Sequence, residues 1–297
     1  MLFRTTMKAS SAGAGCVACH SPLAFFGTRG RYTYVKCSSC GSIQLDPLPT
    51  PEELTLAYSA DYATAGHYGT DPDEIYLNGQ PFFRAVTGAL RQAGITSGRV
   101  LDVGCGWGGM VRVLREEHYE ALGIDYESES LEYCRKQSLP VEAMDLDRLA
   151  REGKKFDAVL LVTVFEHLVD HRDRLRRLAA LLGPSGALVV LIPTAALFGA
   201  VAGLIRRVRN TREIPAVNGT FEPPWHTTIL SVKGFERMLD DTPFTLERVV
   251  ASPSGSGRGL KRVIQTTATA LSVGGTRFFG RRWPIVLNHI FVCRLKA

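Results

Sequence analysis

One stretch constrains the fold of this chain more than any other: Val100-Leu101-Asp102-Val103-Gly104-Cys105-Gly106-Trp107-Gly108-Gly109-Met110. Its apolar residues around one carboxylate predict a short buried strand. A glycine-dense turn follows, and Met110 to Glu117 then has helical spacing. Strand, glycine turn and helix are how an α/β sheet turns backbone N–H groups toward a nucleotide-like ligand. Taken literally, Gly104-x-Gly106-x-x-Gly109 matches the dinucleotide fingerprint, which alone is a weak signal. A glycine turn with no ligand is the plain alternative.

Asp102 decides between ligands. An acid at the strand tip sits close to any pyrophosphate over the turn, and two like charges ~4 Å apart repel by about 1 kcal/mol in water and by several in a partly buried site. A ligand with an ammonium, a sulfonium and no phosphate is attracted instead. Asp-x-Gly-x-Gly therefore favours S-adenosylmethionine (SAM), and it resembles the first motif of the class I SAM-dependent methyltransferases. Ala121 to Asp125 predicts a second strand ending in an acid, about twenty residues past the turn, where a carboxylate meets ribose hydroxyls. Ser128 to Gln137 predicts a helix and Val141 to Met144 a short strand, ending at Asp145. The resemblance implies a cofactor site made of Asp102, Gly104, Cys105, Gly106, Asp125, Tyr126, Asp145, Leu146 and Val164, with Asp145 at the adenine amino group and Met144 and Leu146 beside the ring. A helix cap is the alternative role for Asp145.

Phe156 to Val164 is a near-continuous apolar run, the pattern of a central parallel strand, and it leads into Phe165-Glu166-His167-Leu168. This ending resembles the fourth strand of small-molecule O- and C-methyltransferases. Asp-Pro-Pro-Tyr and Pro-Cys, the marks of many amino-group and cytosine-C5 enzymes, are missing there. His167 has the ordinary pKa of a general base near neutral pH, with Glu166 to orient it or cap the next helix. His226, in Phe221-Glu222-Pro223-Pro224-Trp225-His226, is a second base candidate, on a step that in the family lines the acceptor pocket. Beyond them, a helix from Arg172 to Leu182 stops at Gly183-Pro184-Ser185-Gly186. Ala187 to Ile192 reads as the fifth strand and Phe244 to Ala251 as the sixth. His289 to Lys296 is the last, antiparallel by resemblance.

The N-terminal fifth carries Cys16-x-x-Cys19 and Cys37-x-x-Cys40, with seventeen residues between the pairs. This is zinc-ribbon spacing: four thiolates complete a tetrahedral Zn²⁺ shell with no open position, so the metal is structural. A metal-free fold with four spare thiols is the alternative. A module this small has almost no core of its own, so the metal is expected to supply most of its folding energy. The run from Cys16 to Tyr62, with its prolines, the helix start Thr50-Pro51-Glu52-Glu53 and then Tyr58 and Asp61-Tyr62, resembles the leader of bacterial methyltransferases of sugar, lipid and natural-product tailoring. Tyr62, His67 and Tyr68 are candidates to cover the cofactor.

At 297 residues, 45% hydrophobic and 22% charged, the chain has room for one large domain and a small one. The expected fold is α/β: a Rossmann-like seven-stranded class I methyltransferase sheet with a small N-terminal zinc ribbon. Its expected parts are a ribbon over 1–48, a helical cofactor-covering linker over 49–95 and the methyltransferase domain over 96–297. An acceptor lid (194–228) and a basic insert (252–283) interrupt that domain. Seven cysteines and no apolar run after the first basic residues point to a reducing, cytoplasmic setting. The net charge of +6 is concentrated in the last third, and the apolar stretch 195–209 with its basic end suits a core helix, a lid or a peripheral contact at the inner membrane face. These readings converge on methyl transfer from SAM to a hydroxyl or carbon of a small, sugar- or lipid-linked acceptor. An RNA methyltransferase and a non-catalytic SAM-binding module are the alternatives. Nucleic acid is disfavoured, since Cys16 to Cys40 holds only Arg29, Arg31 and Lys36 as bases. Oligomeric state and acceptor identity are not legible.

Overall fold

A computed structural model describes residues 15–60, 71–126, 128–215, 217, 219–255, 259–280, 283 and 285–296. Tyr62, His67 and Tyr68, and the basic residues at 258 and 281–282, lie outside the described residues.

Seven strands form the central sheet: β4 (Arg99–Val103), β5 (Glu120–Asp125), β6 (Val141–Ala143), β7 (Phe156–Val162), β8 (Leu182–Pro193), β10 (Phe244–Ser252) and β11 (Asn288–Leu295). Their spatial order is β10-β11-β8-β7-β4-β5-β6. The five strands from β8 to β6 are parallel, whereas β11 is antiparallel to both of its neighbours. This is the Rossmann-like seven-stranded sheet that the sequence resemblance implies. Alternation along β4 explains why both faces are covered. Val100 points into one apolar layer, shared with α2 (Pro72–Gln92), α3 (Gly109–Glu116) and α4 (Glu129–Lys136). Leu101 and Val103 point into the other, shared with α5 (Leu146–Arg151), α6 (His171–Ala179) and α8 (Val232–Leu239).

The elements differ from the sequence expectation in four places. Helix α2 begins seven residues before Gly79, the start that Phe82, Phe83, Val86 and Leu90 on one helical face predict, because Asp71 caps it by accepting from the backbone N–H of Asp73 and Glu74 and Pro72 takes the first turn. Strand β7 stops at Val162, not Val164: Thr163 has a φ of +56°, which turns the chain out of the sheet and into a 3₁₀ turn at Phe165–His167. Gly183 to Gly186 is a bulge inside β8, as Phe156 pairs with Leu182 and Ala158 already with Ala187. The weakly patterned basic insert holds a 21-residue helix, α9 (Gly259–Phe279).

The N-terminal segment forms a second sheet from β1 (Leu23–Arg29), β2 (Tyr32–Cys37) and β3 (Ile43–Leu45), and this sheet is completed by β9 (Thr228–Ile229) in the order β1-β2-β3-β9. The ribbon is therefore not coreless. Phe26, Tyr34, Ile43 and Leu45 pack with Ala195, Phe198 and Ala202 of α7 (Ala195–Val208) and with Phe221 and Ile229 in one cluster. Cys16, Cys37 and Cys40 lie in the same apolar layer as Phe235 and Met238 of α8. Strand β9 crosses from the expected acceptor insert into the ribbon's sheet, so the two segments share a core that neither supplies alone. Between ribbon and domain, α1 (Pro51–Ala60) starts with a capping box: Thr50 Oγ1 accepts from Glu53 N at 3.2 Å and Glu53 Oε2 from Thr50 N at 2.8 Å.

Candidate active site

Parallel pairing brings the C-terminal ends of β4, β5 and β7 to one edge, where ligands bind in open α/β sheets. Asp102 stands at the tip of β4, 2% exposed, and burial first and the nearby Asp125 second push its carboxyl up to about 7. Asp125 ends β5, and burial raises its pKa too. Its two oxygens accept from the backbone N–H of Gly106 and Tyr126, both at 2.7 Å, which locks the glycine turn against the second strand. Asp125 so near the buried Asp102 disfavours its ionisation until a cation enters, and an ammonium or sulfonium is such a cation.

The turn itself needs glycine at position 104. Its φ is +76°, and a Cβ there would lie 2.7 Å from Cγ2 of Val164. Val164 thus stands directly over the turn. Above Asp102 and Gly104 lies a cleft of about 190 Å³, walled by Phe83, Trp107 and Thr163 among others. Cys105 gives the cleft its backbone: its thiol is turned onto Gly123, where an added Cβ would meet Sγ at 2.8 Å. At the edge of the sheet, Asp145 caps α5 by accepting from Arg148 N at 2.7 Å, and Leu146, 1% exposed, is in the core cluster that also holds Leu149.

The three catalytic candidates converge. Glu166, His167 and His226 offer one carboxylate oxygen and two imidazole nitrogens within 4.8 Å of one another, a set able to relay a proton or to hold a divalent cation. The two imidazole rings meet edge to face with centroids 4.7 Å apart. Burial, with His226 as a lesser cause, holds His167 neutral by lowering its pKa well below the usual value. Glu166 Oε2 is buried without a hydrogen-bond partner, and burial pushes this carboxyl up to about 8, so it is protonated at neutral pH. His226 Nδ1 lies 2.9 Å from the carbonyl of Thr220. A carbonyl only accepts, so the proton is assigned to Nδ1 and Nε2 keeps its lone pair.

Sequence reasoning missed the residues that hold these three in place. Tyr58, near the end of α1, puts its hydroxyl 2.8 Å from His167 Nδ1. The side chain of Thr227 hydrogen-bonds to the carbonyls of Glu166 and Leu168. His171, fully inside the core, donates from Nε2 to the Phe165 carbonyl at 3.1 Å, and burial takes its pKa down to about 4. Tyr58 was visible in the sequence as an aromatic after an acidic helix start; Thr227 and His171 gave no signal.

The four ribbon cysteines also converge. Cys16 and Cys40 have their sulfurs 3.6 Å apart, and Cys19 and Cys37 theirs 3.5 Å apart. Zn–S bonds of ~2.3 Å in a tetrahedron separate sulfurs by about 3.8 Å, so the cluster is the size of a closed four-sulfur shell. His20, exposed and at a φ of +59°, is not among the clustered ligands.

A family model described as a methyltransferase domain matches residues 80–249, more than half of the chain, and the chain belongs to that family. Among curated relatives, the ubiquinone biosynthesis O-methyltransferase of Chelativorans sp. (strain BNC1) is 29% identical over 150 residues, covering 48% of this chain and 52% of that protein. The protein of the same description from Haemophilus ducreyi is 31% identical over 106 residues, covering 32% and 45%. The chain thus spans about half the length of these relatives. Among solved structures, the 1,6-didemethyltoxoflavin-N1-methyltransferase of Burkholderia thailandensis, with S-adenosylhomocysteine bound, superposes with a TM-score of 0.53 at 14% identity, over 92% of this chain and 99% of that one. The magnesium protoporphyrin IX methyltransferase of Synechocystis PCC 6803 gives 0.52 at 16%, over 83% and 100%. At such identities the likeness is one of fold.

Proposed function

We propose that this chain transfers a methyl group from SAM to a hydroxyl or carbon of a small, sugar- or lipid-linked acceptor. One observation carries the reading: the cluster of Glu166, His167 and His226 follows the end of β7, whose Val162 and the next residue, Thr163, line the cleft over the glycine turn. Bound SAM supplies an electrophilic methyl on a sulfonium. The chain's part is to hold the donor with Asp102, Asp125 and the turn, and to take a proton from the acceptor. His226 Nε2 is the base, because the Thr220 carbonyl fixes its tautomer. His167 stays neutral and polarises the contact, and protonated Glu166 keeps negative charge away from the neutral pair.

The acceptor side supports a small molecule carrying a polar group. A second cleft, of about 310 Å³, opens near His226 between Arg29, Arg31 and Tyr32 of the ribbon and Glu222, Pro223 and Trp225 of the following loop. Helix α7 leaves Leu204 and Val208 exposed beside Arg206 and Arg207, and the Arg206 and Arg212 guanidinia lie over the exposed Phe25 ring. That surface suits peripheral contact with an anionic membrane. Among the described residues no helix is long and apolar enough to cross one. The four cysteines hold Zn²⁺ as a structural ion. Labelled SAM incubated with fractionated extract and the purified chain tests the whole reading. Transfer of label to a small product, lost in His226→Gln, supports it; label on RNA, or none in any fraction, overturns it.

A further inference from the structure

We infer that the zinc ribbon is the splint of the acceptor wall: metal bound by Cys16, Cys19, Cys37 and Cys40 fixes where His226 stands, with Tyr34 as its positioning residue. The inference rests on the reading of the four cysteines as a zinc site and adds a role that a separate substrate-reading module would not have.

Three connections run from the knuckles to the active site. The first leaves the second knuckle through β2 and β3. Tyr34, three residues before Cys37 and fully buried, donates its hydroxyl to the backbone carbonyl of His226 at 3.1 Å. Leu45 N donates to the carbonyl of Thr227 at 2.8 Å, and Ile43 and Gln44 pair with Ile229 and Thr228. Thr227 faces the other way as well: its N–H reaches the Glu166 carbonyl at 3.0 Å and its hydroxyl the same oxygen at 3.1 Å. One residue is therefore clamped between the ribbon and the end of β7.

The second connection joins the knuckle to the start of α8. Ser231 donates its hydroxyl to the Cys40 carbonyl at 2.6 Å and its N–H to Ser42 Oγ at 3.2 Å. The third starts at the first knuckle, where the Arg172 guanidinium binds the carbonyls of Val17 and Ala18. Arg172 opens α6, five residues after His167. The two knuckles are themselves tied by Val17 N donating to Gln44 Oε1 at 2.9 Å.

Each of these hydrogen bonds alone is weak, since water offers the same partners. What makes them hold is that the two knuckles, separated by seventeen residues, are fixed to one another by metal. Release the metal and the sulfurs at 3.5 and 3.6 Å are free to separate, taking β3 and then β9 with them. The cofactor turn has its own support, in the Asp125 contacts and the β4–β5 pairing, and none of that passes through the ribbon.

The test is hydrogen exchange on the full chain, read by mass spectrometry before and after zinc is stripped with a chelator, with metal content measured in both. The expected result is exchange at least about tenfold faster over residues 220–230 and 166–172. Exchange over 99–125 and the affinity for S-adenosylhomocysteine stay unchanged. Three results overturn the inference: no zinc in the native chain, ribbon peptides that open while 220–230 stays protected, or β4 and β5 opening equally. Tyr34→Phe supplies a second readout. It removes one hydroxyl and leaves the cysteines in place, so zinc content is expected to be full while the His226 imidazole resonances shift and 220–230 exchanges faster. Unshifted His226 resonances overturn the role given to Tyr34. Because neither readout depends on turnover, a failure here is distinguishable from a failure of the proposed methyl transfer.

Discussion

The glycine turn, proposed as the cofactor wall, and the histidine cluster, proposed as the acceptor wall, are held by different kinds of contact. The cofactor wall is local: Asp102, Gly104, Gly106 and Asp125 lie within 24 residues and are fixed by backbone pairing and by two short bonds to one carboxylate. The acceptor wall is assembled from afar, with Tyr34 reaching His226 across 192 residues and Tyr58 reaching His167 across 109. A local wall survives damage elsewhere in the chain and fails only by direct insult. A remote wall depends on three segments being docked at once. The two walls should therefore be separable by mutation, and the sharpest separation is expected from the base.

His226→Gln should lower label transfer by roughly a hundredfold or more, the usual contribution of a positioned base. Calorimetry on the same variant should find S-adenosylhomocysteine affinity unchanged. A loss of cofactor affinity would join the walls that the geometry separates. The mirror experiment is Gly104→Val. A β-branched residue at a φ of +76°, with Val164 2.7 Å from its Cβ, closes the turn. Cofactor affinity should drop about hundredfold, while zinc content and exchange over 220–230 stay at the native level.

The same contrast governs what could be read from the amino-acid order. Asp102, the glycines and Asp125 announce themselves because the cofactor proposed for them requires specific residue types at fixed spacing on one strand–turn–helix unit. Glu166 and His167 were legible for the same reason, as a strand ending. His226 was legible only through the resemblance of its Pro-Pro-Trp-His step, since no periodicity records a contact across about sixty residues. The ribbon's cysteines were legible as spacing. Its core was not, because most of that core, including Ala195, Phe198 and Ala202 of α7 and Ile229 of β9, lies outside the ribbon segment. Helix α9 escaped notice because its apolar residues are not confined to one face: Val263, Leu271, Val273 and Phe278 are all exposed.

A smaller effect, but one with a sign, comes from Asp102. Its carboxyl sits at about 7 in the folded chain against about 3.8 for an unperturbed aspartate. A raised carboxyl means the folded state keeps a proton that the unfolded state has released. Between about pH 4 and 7, stability of the free chain due to this group therefore falls as pH rises. Binding of a cation runs the other way, because only the ionised carboxylate attracts it. If that form alone binds, SAM affinity should rise roughly eightfold from pH 6 to 7.5, and Asp102→Asn should flatten the slope. A flat profile in the wild type would remove Asp102 from the cofactor's charge recognition.

The weakest expected effect concerns the joint between the walls. Thr50 and Glu53 cap α1 reciprocally, and α1 carries Tyr58 to His167 Nδ1. Thr50→Ala leaves an N-terminal N–H without its side-chain acceptor, a loss of about 1 kcal/mol of helix stability. Spread over a chain of this size, that lowers the melting midpoint by only about 2 °C. Its local consequence is larger than its global one, because the tyrosine at the far end of the helix samples its bond to His167 less of the time. Label transfer should fall by no more than about fivefold, the factor that 1 kcal/mol allows, and zinc content and S-adenosylhomocysteine affinity should not move. Thr50→Ser, which keeps the hydroxyl, should restore transfer. If Thr50→Ala lowers transfer as much as His226→Gln does, α1 is doing more than presenting Tyr58, and the acceptor wall extends to the linker.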